Sequence, residues 1–345
     1  MSTPHPSPLP GNGARGFSLF HRFQPMLRYI NEKEVAQILT MPKTLELVEA
    51  SLKARAEGRA VDVPRVRARS PAGTLHILEA AAPDLKLIGY KAYYSNPGKG
   101  SRYHVHLFDT DSGNLVAMIE ASYLGMVRTG AASGVATRYM AREDAATVGM
   151  IGAGKQAVGQ LEAVCAVRKI RHVKVYSRNI ERARGFCDTL SAKLGVKMEA
   201  VATAADAVRG ADVINVITKA AAPVLLGEWL EPGQHINAAG SNALTRRELD
   251  VAVITRCARV VVDARGTARN ECGDLLPLIE SGKLDWDALP ELGEVIVGRI
   301  PGRKSRDEIT LYESHGMGIQ DIYTGHHILD VARKQNVGID LPVGG

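Results

Sequence analysis

VGMIGAGKQA, at residues 148–157, is the most informative stretch of this chain. A short apolar run leads into the pattern Gly-x-Gly-x-x-Ala, and a helical pattern follows to about Val167. In a dinucleotide-binding fold the first glycine makes the turn, the second lets the backbone approach a pyrophosphate, and the small third residue lets the helix pack on the strand. The stretch therefore predicts a helix N-terminus that faces phosphates. Its candidate cofactor-binding residues are Gly152, Gly154, Lys155 and Gln156.

A second strand-like run, at residues 172–176, ends in Ser177, Arg178 and Asn179. An NAD-binding fold usually has Asp or Glu at this point, where the carboxylate accepts hydrogen bonds from the ribose hydroxyls. This chain has no carboxylate there to repel a 2′-phosphate, and the guanidinium of Arg178 can pair with one. The sequence therefore favours NADP(H) over NAD(H). The alternative is that Arg178 is a solvated surface charge and that either cofactor binds.

The composition excludes several classes of protein. At 345 residues the chain is long enough for two domains, each with its own core. Its hydrophobic content of 45% and charged content of 23% are ordinary for a globular protein. The formal net charge of +6 is spread along the chain without a long basic block, which argues against nucleic-acid binding. No apolar run of about 18 residues predicts a membrane span.

The four cysteines are scattered, without a Cys-x-x-Cys pair or a histidine cluster at metal-ligand spacing. We therefore expect free thiols and no metal site. Free thiols suit a reducing compartment, and the N-terminus lacks the pattern of a signal peptide. The predicted location is cytoplasmic.

The chain changes character along its length. Residues 1–26 are rich in proline and glycine and predict a flexible tail. A helical pattern interrupted near Pro42 follows, and then short strand-like runs at residues 63–68, 74–79, 85–94, 104–109 and 115–120. Consecutive strands without helices between them indicate an antiparallel or mixed sheet. After a helix at about residues 126–141, strands and helices alternate, and a last helix is predicted at about residues 319–334.

Three cations of the first half are candidates for chemistry: Arg65, Lys91 and Arg128. Lys91 ends an apolar strand-like run, and a lysine is costly to bury unless it is paired, which marks it as functional. An arginine offers a bidentate match to a substrate carboxylate. The alternative is that all three are surface charges whose stems cover apolar area.

Other polar residues follow predicted strands. Thr218 and the segment Gly240-Ser241-Asn242 come directly after two strands of the alternating region, where a parallel sheet binds ligands. The segment also fits an ordinary turn. His315, after Ser314, can carry protons near neutral pH, although a lone histidine beside glycine is more often structural. Four further cations near Lys91 in sequence allow a second carboxylate on a substrate: Lys99, Arg102, His104 and His106.

Seven short stretches of the sequence, taken in order, resemble the ornithine cyclodeaminase/mu-crystallin family over about residues 29–342. They are residues 64–65, 89–91, 107–109 with Gly113, 127–132, 152–156, 247–250 and 309–316. The resemblance implies a Rossmann dinucleotide-binding domain inserted in an α+β substrate-binding and dimerisation domain. It places the former at residues 144–319 and the latter at residues 27–143 plus 320–345. It also implies a homodimer, a small imino-acid or amino-acid substrate, and neither membrane nor nucleic-acid partners.

The resemblance further implies roles for individual residues. Arg65, Lys91, Arg128 and Asn242 correspond to the catalytic and carboxylate-binding set, and Ser314 and His315 to substrate contacts. Thr129, Thr218, Gly240 and Ser241 correspond to cofactor contacts. Family members use NAD(P) for amino-acid dehydrogenation, for reduction of imines (ketimines), or for cyclodeamination of ornithine and lysine.

This chain departs from the ornithine cyclodeaminases at two positions. They have an aspartate where it has Asn242, and asparagine cannot exchange a proton with a substrate amine. They also have an acidic residue where it has Ser177. Both differences predict NADPH-dependent reduction of a 2-imino acid, or the reverse amino-acid dehydrogenation. The alternatives are an NAD-dependent cyclodeaminase of ornithine or a related diamino acid, and a non-catalytic NADPH-dependent ligand-binding protein.

Overall fold

The computed structural model describes residues 26–343 of the chain. It contains two β-sheets that differ in strand direction. The predicted tail at residues 1–26 lies outside the described residues, except for Met26, which begins the first strand. Between residues 26 and 343, no helix is long and apolar enough to cross a membrane.

The first part of the chain is a run of strands flanked by helices. Its elements are β1 (Met26–Ile30), α1 (Glu32–Ile38), α2 (Met41–Ala56), β2 (Val61–Asp62), β3 (Val66–Ser70), β4 (Gly73–Ala82), β5 (Leu87–Asn96), β6 (Gly100–Asp109), β7 (Leu115–Glu120) and α3 (Ser122–Met140).

The second part alternates strands and helices and then returns to the first sheet. Its elements are β8 (Thr147–Ile151), α4 (Lys155–Val167), β9 (His172–Tyr176), α5 (Ile180–Leu194), β10 (Lys197–Ala200), α6 (Ala204–Val208), β11 (Val213–Val216), β12 (His235–Ala238), α7 (Val251–Arg256), β13 (Arg259–Val262), α8 (Arg265–Glu271), α9 (Leu276–Glu280), α10 (Leu292–Ile296), β14 (Thr310–Glu313), α11 (Gly318–Gln335) and β15 (Ile339–Pro342).

The two sheets differ as the sequence predicts. The first has the order β15-β1-β7-β6-β5-β4-β2, with β3 also on β4, and is antiparallel except where β1 pairs with β7. The second has the order β10-β9-β8-β11-β12-β14-β13, and all its pairs are parallel. A doubly wound parallel sheet beside an α+β sheet confirms the predicted fold class.

Local sequence explains where the first helices begin. Asn31 accepts hydrogen bonds from the backbone N–H groups of Lys33 and Glu34, and the Glu34 side chain accepts one from the Asn31 N–H, so a capping box begins α1. Pro42 lies in the first turn of α2, where a missing N–H leaves no hydrogen bond unmade. The predicted break near Pro42 is therefore the junction of two helices.

Several predicted elements have different bounds. Of the predicted strand at residues 63–68, only residues 66–68 lie in a strand, β3. Residues 63–65 separate β3 from β2, because the proline at position 64 has no N–H for the ladder. The predicted strand at residues 85–94 begins only at Leu87, after a 3-10 turn at Pro83–Leu85. Strands β10 and β14 were not expected, because each has four residues and mixes polar with apolar side chains.

Helices α3 and α4 bring the two sheets into close contact. A Cβ atom at Gly130 of α3 would overlap the carbonyl of Gly159 in α4, and one at Gly159 would overlap the carbonyl of Met126. The helix backbones therefore touch, which places the first half of α3 beside the glycine turn. The last helix, α11, packs on α2 and on strands β4, β5 and β6 of the first sheet. Residues from both ends of the chain thereby reach the cleft between the sheets.

Candidate active site

The glycine turn has the geometry of a phosphate cradle. Gly152 has φ +115°, a backbone conformation that side chains avoid, and a Cβ there would overlap the carbonyl oxygen of Ile217. Gly154 is the N-cap of α4, and no side chain caps the first N–H groups of that helix. Free N–H groups at a helix N-terminus are donors for an anion. These residues fit a dinucleotide pyrophosphate.

The end of β9 lies next to this turn. Ser177 is half-buried, while Arg178 and Asn179 are exposed. The Asn179 side chain accepts a hydrogen bond from the Arg182 N–H and begins α5. The Arg182 side chain donates from Nε to the carbonyl of Ala153 at 2.9 Å, so a guanidinium lies beside the glycine turn. Arg182 is not among the residues predicted from sequence, because only the fold brings the first turn of α5 to this place.

Thr218 and Gly240 follow adjacent parallel strands and are joined by one buried carboxylate, that of Glu248. Its oxygens accept hydrogen bonds from the N–H and hydroxyl of Thr218, each at 2.6 Å, and from the N–H of Gly240 at 2.7 Å. Burial raises the pKa of Glu248 to about 7, and these hydrogen bonds oppose the rise. Ser241 is buried and donates to the carbonyl of Arg246 at 3.2 Å. Glu248 lies in one of the stretches that resemble the family, residues 247–250, but the sequence assigns it no role.

Lys91 and Arg128 meet at a carboxylate from the last helix. The Nζ of Lys91 lies 2.7 Å from Oδ2 of Asp321, and Nε of Arg128 donates to Oδ1 at 2.9 Å. All three side chains are buried. Burial and, to a smaller extent, the neighbouring charge of Arg128 lower the pKa of Lys91, Asp321 opposes both effects, and the result is a pKa of about 7. Asp321 is absent from the sequence predictions because 230 residues separate it from Lys91.

Arg65 lies between β2 and β3 and is held from one side. Its Nη2 donates to the carbonyl of His315 at 2.7 Å, and its Nη1 lies 3.3 Å from the carboxylate of Glu271. Neither Nε nor Nη1 makes a hydrogen bond with the described residues, although both are buried. Unpartnered buried donors are costly, so this guanidinium is arranged to receive an acceptor.

The predicted residues Ser314 and His315 are buried in the same region. The N–H groups of His315 and Gly316 donate to Oδ2 of Asp263 at 2.7 and 2.8 Å, which fixes the loop after β14. Neither ring nitrogen of His315 has a hydrogen-bond partner among residues 26–343. Gly316 packs closely on Arg128, Arg65 binds the carbonyl of His315, and Arg128 shares Asp321 with Lys91, so the structure brings these predicted residues together.

Other predicted residues are placed differently. The hydroxyl of Thr129 donates to the carbonyl of Gly125, and the amine of Lys155 reaches Ser122, so both groups have partners within the chain. Gln156 has a buried Oε1 without a partner in the described part of the chain. The carbonyl of Asn242 accepts a hydrogen bond from Nη2 of Arg67 at 3.0 Å.

The cations that allowed a second substrate carboxylate do not face Lys91. Lys91 pairs with Val105 across β5 and β6, so its neighbours His104 and His106 lie on the opposite face of the sheet. Arg102 pairs with Tyr94 on that same opposite face, and Lys99 lies in the turn between the strands. Proximity in sequence is misleading here because side chains alternate along a strand.

One cluster has the composition of a metal site. A sulfur, a carboxylate oxygen and a ring nitrogen from Cys272, Glu313 and His315 lie within 4.8 Å of one another, where no metal is predicted from sequence. Burial raises the pKa values of the Cys272 thiol and the Glu313 carboxyl well above their usual range. A metal bound here would have to displace a proton from each of these two groups.

The chain is similar in sequence and in fold to enzymes of known activity. The model of the "Ornithine cyclodeaminase/mu-crystallin family" matches residues 26–336. A Delta(1)-pyrroline-2-carboxylate reductase from Bacillus cereus is 35% identical over 318 residues, covering 90% of this chain and 98% of that protein.

Two solved structures have the same fold. The Delta(1)-pyrroline-2-carboxylate reductase of Thermococcus litoralis, in complex with NADH and L-proline, has a TM-score of 0.88 at 31% identity, covering 91% of this chain and 100% of the other. The iminosuccinate reductase of Paracoccus denitrificans, in complex with NAD⁺, has a TM-score of 0.86 at 28% identity, covering 92% and 100%.

Proposed function

Because the chain belongs to the ornithine cyclodeaminase/mu-crystallin family, we propose that it reduces a 2-imino acid to an amino acid with a nicotinamide cofactor. Such an enzyme is an NAD(P)-dependent oxidoreductase acting on C=N or CH–NH₂ groups, as the two relatives named imine reductases are. The observation that supports the proposal is the convergence of Arg65, Arg128 and Lys91 in a chain that also has the glycine turn of a dinucleotide-binding domain.

The carboxylate of the substrate binds between the two arginines. Arg65 offers Nε, which is buried and has no hydrogen-bond partner among the described residues, and Nη1, which has there only the Glu271 carboxylate at 3.3 Å. A substrate carboxylate supplies an acceptor to these donors. Arg128 is turned toward the same place by Asp321, which holds its Nε. Such a clamp fixes the imine carbon at one position in the cleft, and orientation of this kind accounts for a large part of enzymatic acceleration.

Lys91 is the proton donor for the substrate nitrogen. With its pKa near 7 it is present both as the ammonium and as the amine at neutral pH, as a general acid requires. A nicotinamide held at the glycine turn would supply the hydride for the imine carbon, and Lys91 would supply the proton or hydrogen bond that the substrate nitrogen needs as its charge changes. Asp321 keeps Nζ in place through both steps because it bonds to Lys91 and Arg128 together.

Asn242 favours reduction over cyclodeamination. Its amide has no ionising group, so it cannot act as acid or base for a substrate amine. The backbone carbonyl of Asn242 accepts a hydrogen bond from Arg67, which fixes the position of the residue. In this proposal Asn242 is a polar neighbour at the edge of the cofactor crevice. A role in orienting the substrate or the nicotinamide is what this chemistry allows.

NADP(H) is the preferred cofactor in this proposal. Ser177 leaves the end of β9 without a carboxylate, and Arg178 and Arg182 place two guanidinium groups around the first turn of α5. The two solved relatives hold NADH and NAD⁺, which supports a nicotinamide cofactor in general. The preference for the 2′-phosphate rests on the side chains of this chain.

The active molecule is a homodimer in this proposal. The outer face of the first sheet carries apolar side chains on neighbouring strands, among them Ile88, Tyr90, Phe108 and Met118, and Ile88 is 49% exposed. Such a surface is typical of a protein interface.

We assign residues 27–143 and 320–345 to the substrate-binding and dimerisation domain and residues 144–319 to the dinucleotide-binding domain, since α11 packs on the first sheet.

The test is a stoichiometric assay with the purified chain. NADPH absorbance, amino-acid product and ammonia are followed with Delta(1)-pyrroline-2-carboxylate, with oxo acids mixed with ammonia, and with ornithine. We expect equal loss of NADPH and gain of amino acid. Ammonia release from ornithine without net loss of NADPH would establish a cyclodeaminase instead, and ligand binding without turnover on the whole panel would establish a binding protein.

A further inference from the structure

The inner face of the first sheet forms three successive rows beside the cleft. Lys91 stands in the first row with Leu78 and Val105, its partners on β4 and β6. The second row, which we call the Arg67 row, crosses four strands, and the third opens to solvent. The Arg67 row consists of Arg67, His76, Tyr93 and Tyr103, and the third row of Arg69, Thr74, Ser95 and Ser101.

The side chains of the Arg67 row pack on one another and form a continuous wall, which consists of the four residues of that row. The rings of His76 and Tyr93 stack at 4.3 Å with an interplanar angle of 5°, and those of Tyr93 and Tyr103 stack at 4.8 Å. The guanidinium of Arg65 lies 6.0 Å from the centre of the Tyr93 ring. The wall therefore continues directly from the arginine that receives the substrate carboxylate.

The charge along this wall is positive. Arg65 and Arg67 share one buried carboxylate, Glu271, at 3.3 and 2.7 Å. Burial and, after it, the charges of Arg67, Arg65 and Arg69 together lower the pKa of His76 to about 4. Three guanidinium groups therefore act on one neutral ring. Beyond the third row, Lys219 and Arg246 line an open cavity of about 580 Å³.

Two hydrogen bonds hold Arg67 in place and leave further N–H donors of its guanidinium group for a ligand. Its Nη2 makes both the bond to Glu271 and the bond to the carbonyl of Asn242, which leaves the hydrogens of Nε and Nη1 for another acceptor. Burial raises the pKa of the Tyr93 hydroxyl, which therefore stays protonated and can donate as well. One substrate carboxylate bound by Arg65 and Arg128 uses none of these donors.

The spacing of the rows sets the length of a matching ligand. Residues two apart on a strand lie about 7 Å apart along it. The carboxyl carbons of a four- or five-carbon diacid are roughly 4–5 Å apart. Arg65 and Arg67 both contact the carboxylate of Glu271, at 3.3 and 2.7 Å, so their guanidinium groups are separated by the width of one carboxylate. A diacid whose first carboxylate binds Arg65 is therefore long enough for its second carboxylate to bind Arg67.

We propose that the substrate is a 2-imino dicarboxylic acid of four or five carbons, whose distal carboxylate binds Arg67 against the wall of Tyr93 and Tyr103. The inference rests on the proposed imine reduction and names the side chain that the site accepts. Arg67 is then the residue that determines specificity, while Arg65, Lys91 and Arg128 serve every 2-imino acid alike.

The first test needs no variant. The affinities of L-aspartate, L-glutamate, L-alanine and L-phenylalanine for the full chain saturated with NADP⁺ are measured by calorimetry. One additional charge-assisted contact corresponds to about tenfold to a hundredfold in affinity. We expect an acidic amino acid to bind tighter than alanine by that factor. Equal affinities, or tighter binding of phenylalanine on the aromatic wall, would overturn the proposal.

The second test separates specificity from catalysis. Kinetic constants for NADPH oxidation are measured with the imines of pyruvate, oxaloacetate and 2-oxoglutarate for the wild type, for Arg67→Gln and for Arg102→Gln on the outer face of the sheet. In Arg67→Gln we expect KM for the diacid imines to rise about tenfold or more, with the pyruvate imine changed less than about threefold. An equal loss on all three imines would contradict the assignment of Arg67. No NADPH oxidation by the wild type with any imine, Delta(1)-pyrroline-2-carboxylate included, would instead contradict the proposed function itself.

Discussion

Lys91 and Arg128 share a single carboxylate, and this arrangement sets the proton chemistry of the site. Burial and the adjacent guanidinium destabilise the ammonium of Lys91, while Asp321 stabilises it, and the balance leaves its pKa near 7. A lysine on a solvated surface, with its usual pKa of about 10.4, would hold its proton too firmly to act as an acid near neutral pH. The residue therefore combines a position and a protonation equilibrium that reduction of an imine requires.

Replacing Lys91 tests its role directly. In Lys91→Ala we expect kcat for imine reduction to fall by about a hundredfold to ten-thousandfold, as is typical for loss of a general acid. The Kd for NADPH, measured by quenching of protein fluorescence, should stay within about twofold of the wild type, because the glycine turn is elsewhere. Retention of full activity in this variant would remove Lys91 from the mechanism.

The pH dependence follows from the same group. Because the pKa of Lys91 is lowered to about 7, the ammonium predominates below pH 7 and the amine above it. The kcat/KM for imine reduction, corrected for protonation of the imine, should therefore fall as pH rises through about 7, and that for amino-acid oxidation should rise. Lys91→Arg, which stays charged, should lose this inflection. The same inflection in that variant would assign the titration to another group.

At the scale of secondary-structure elements, the contact of α3 with α4 joins the substrate site to the cofactor site. Gly130 and Gly159 let the two helix backbones touch, and Arg128 stands on α3 two residues before Gly130. A larger residue at this contact must push the helices apart. The distance from Arg128 to the glycine turn thus depends on two glycines that take no part in chemistry.

A pair of alanine substitutions in α3 measures this contact. Gly130→Ala should lower the free energy of unfolding by about 1–3 kcal/mol, as overpacking does. Gly125→Ala, in the same helix but with open space around the added methyl group, should be neutral or stabilising by up to about 1 kcal/mol. Chemical denaturation of both variants gives the comparison. Equal stability of the two would mean that the helices adapt without cost.

The end of β9 makes a separate prediction about the cofactor. Ser177→Asp places a carboxylate where the 2′-phosphate is expected, and it supplies an acceptor for ribose hydroxyls. The ratio of kcat/KM for NADPH over NADH should fall by about tenfold or more, as for removal of a charge-assisted contact. An unchanged ratio, measured with the same imine, would place the selecting groups elsewhere.

Sequence predicts elements better than it predicts the site. Regular patterns identified β9 at residues 172–176 and the end of α4 at Val167 as observed, because the apolar residues of both elements recur regularly. The partners Asp321, Glu248 and Glu271 could not be found this way. Asp321 and Glu271 lie in stretches without a motif, and the stretch at residues 247–250 assigns no role to Glu248. Only folding brings these acids to a lysine, an arginine and a threonine far away in sequence.

At the scale of the whole molecule, the chain leaves the first sheet after α3, builds the parallel sheet, and returns with α11. This path is the reason that Asp321 reaches Lys91 and Arg128. The proposed substrate residues Arg65, Lys91 and Arg128 thus come from the first part of the chain, and the proposed cofactor residues of the glycine turn and of the end of β9 come from the second. The resemblance stated from sequence predicts this two-part organisation.

The outer face of the first sheet tests the homodimer. Ile88→Arg should convert the protein to a monomer, because a buried charge at an interface without a partner is strongly unfavourable. Val251→Arg, an equally exposed apolar position on α7, should leave the dimer intact. Sedimentation of the two variants at equal concentration makes the comparison. A dimer that persists in Ile88→Arg would place the interface on another surface.

The most direct test of imine reduction is the transfer of deuterium from the cofactor. NADPH labelled with deuterium at C4 of the nicotinamide, on either face, is incubated with the enzyme and each imine of the panel, and the amino-acid product is analysed by mass spectrometry. The account predicts one deuterium at the α-carbon from one face of the cofactor and none from the other. An amino-acid product without deuterium from either face, or no product at all, would contradict hydride transfer to the imine carbon.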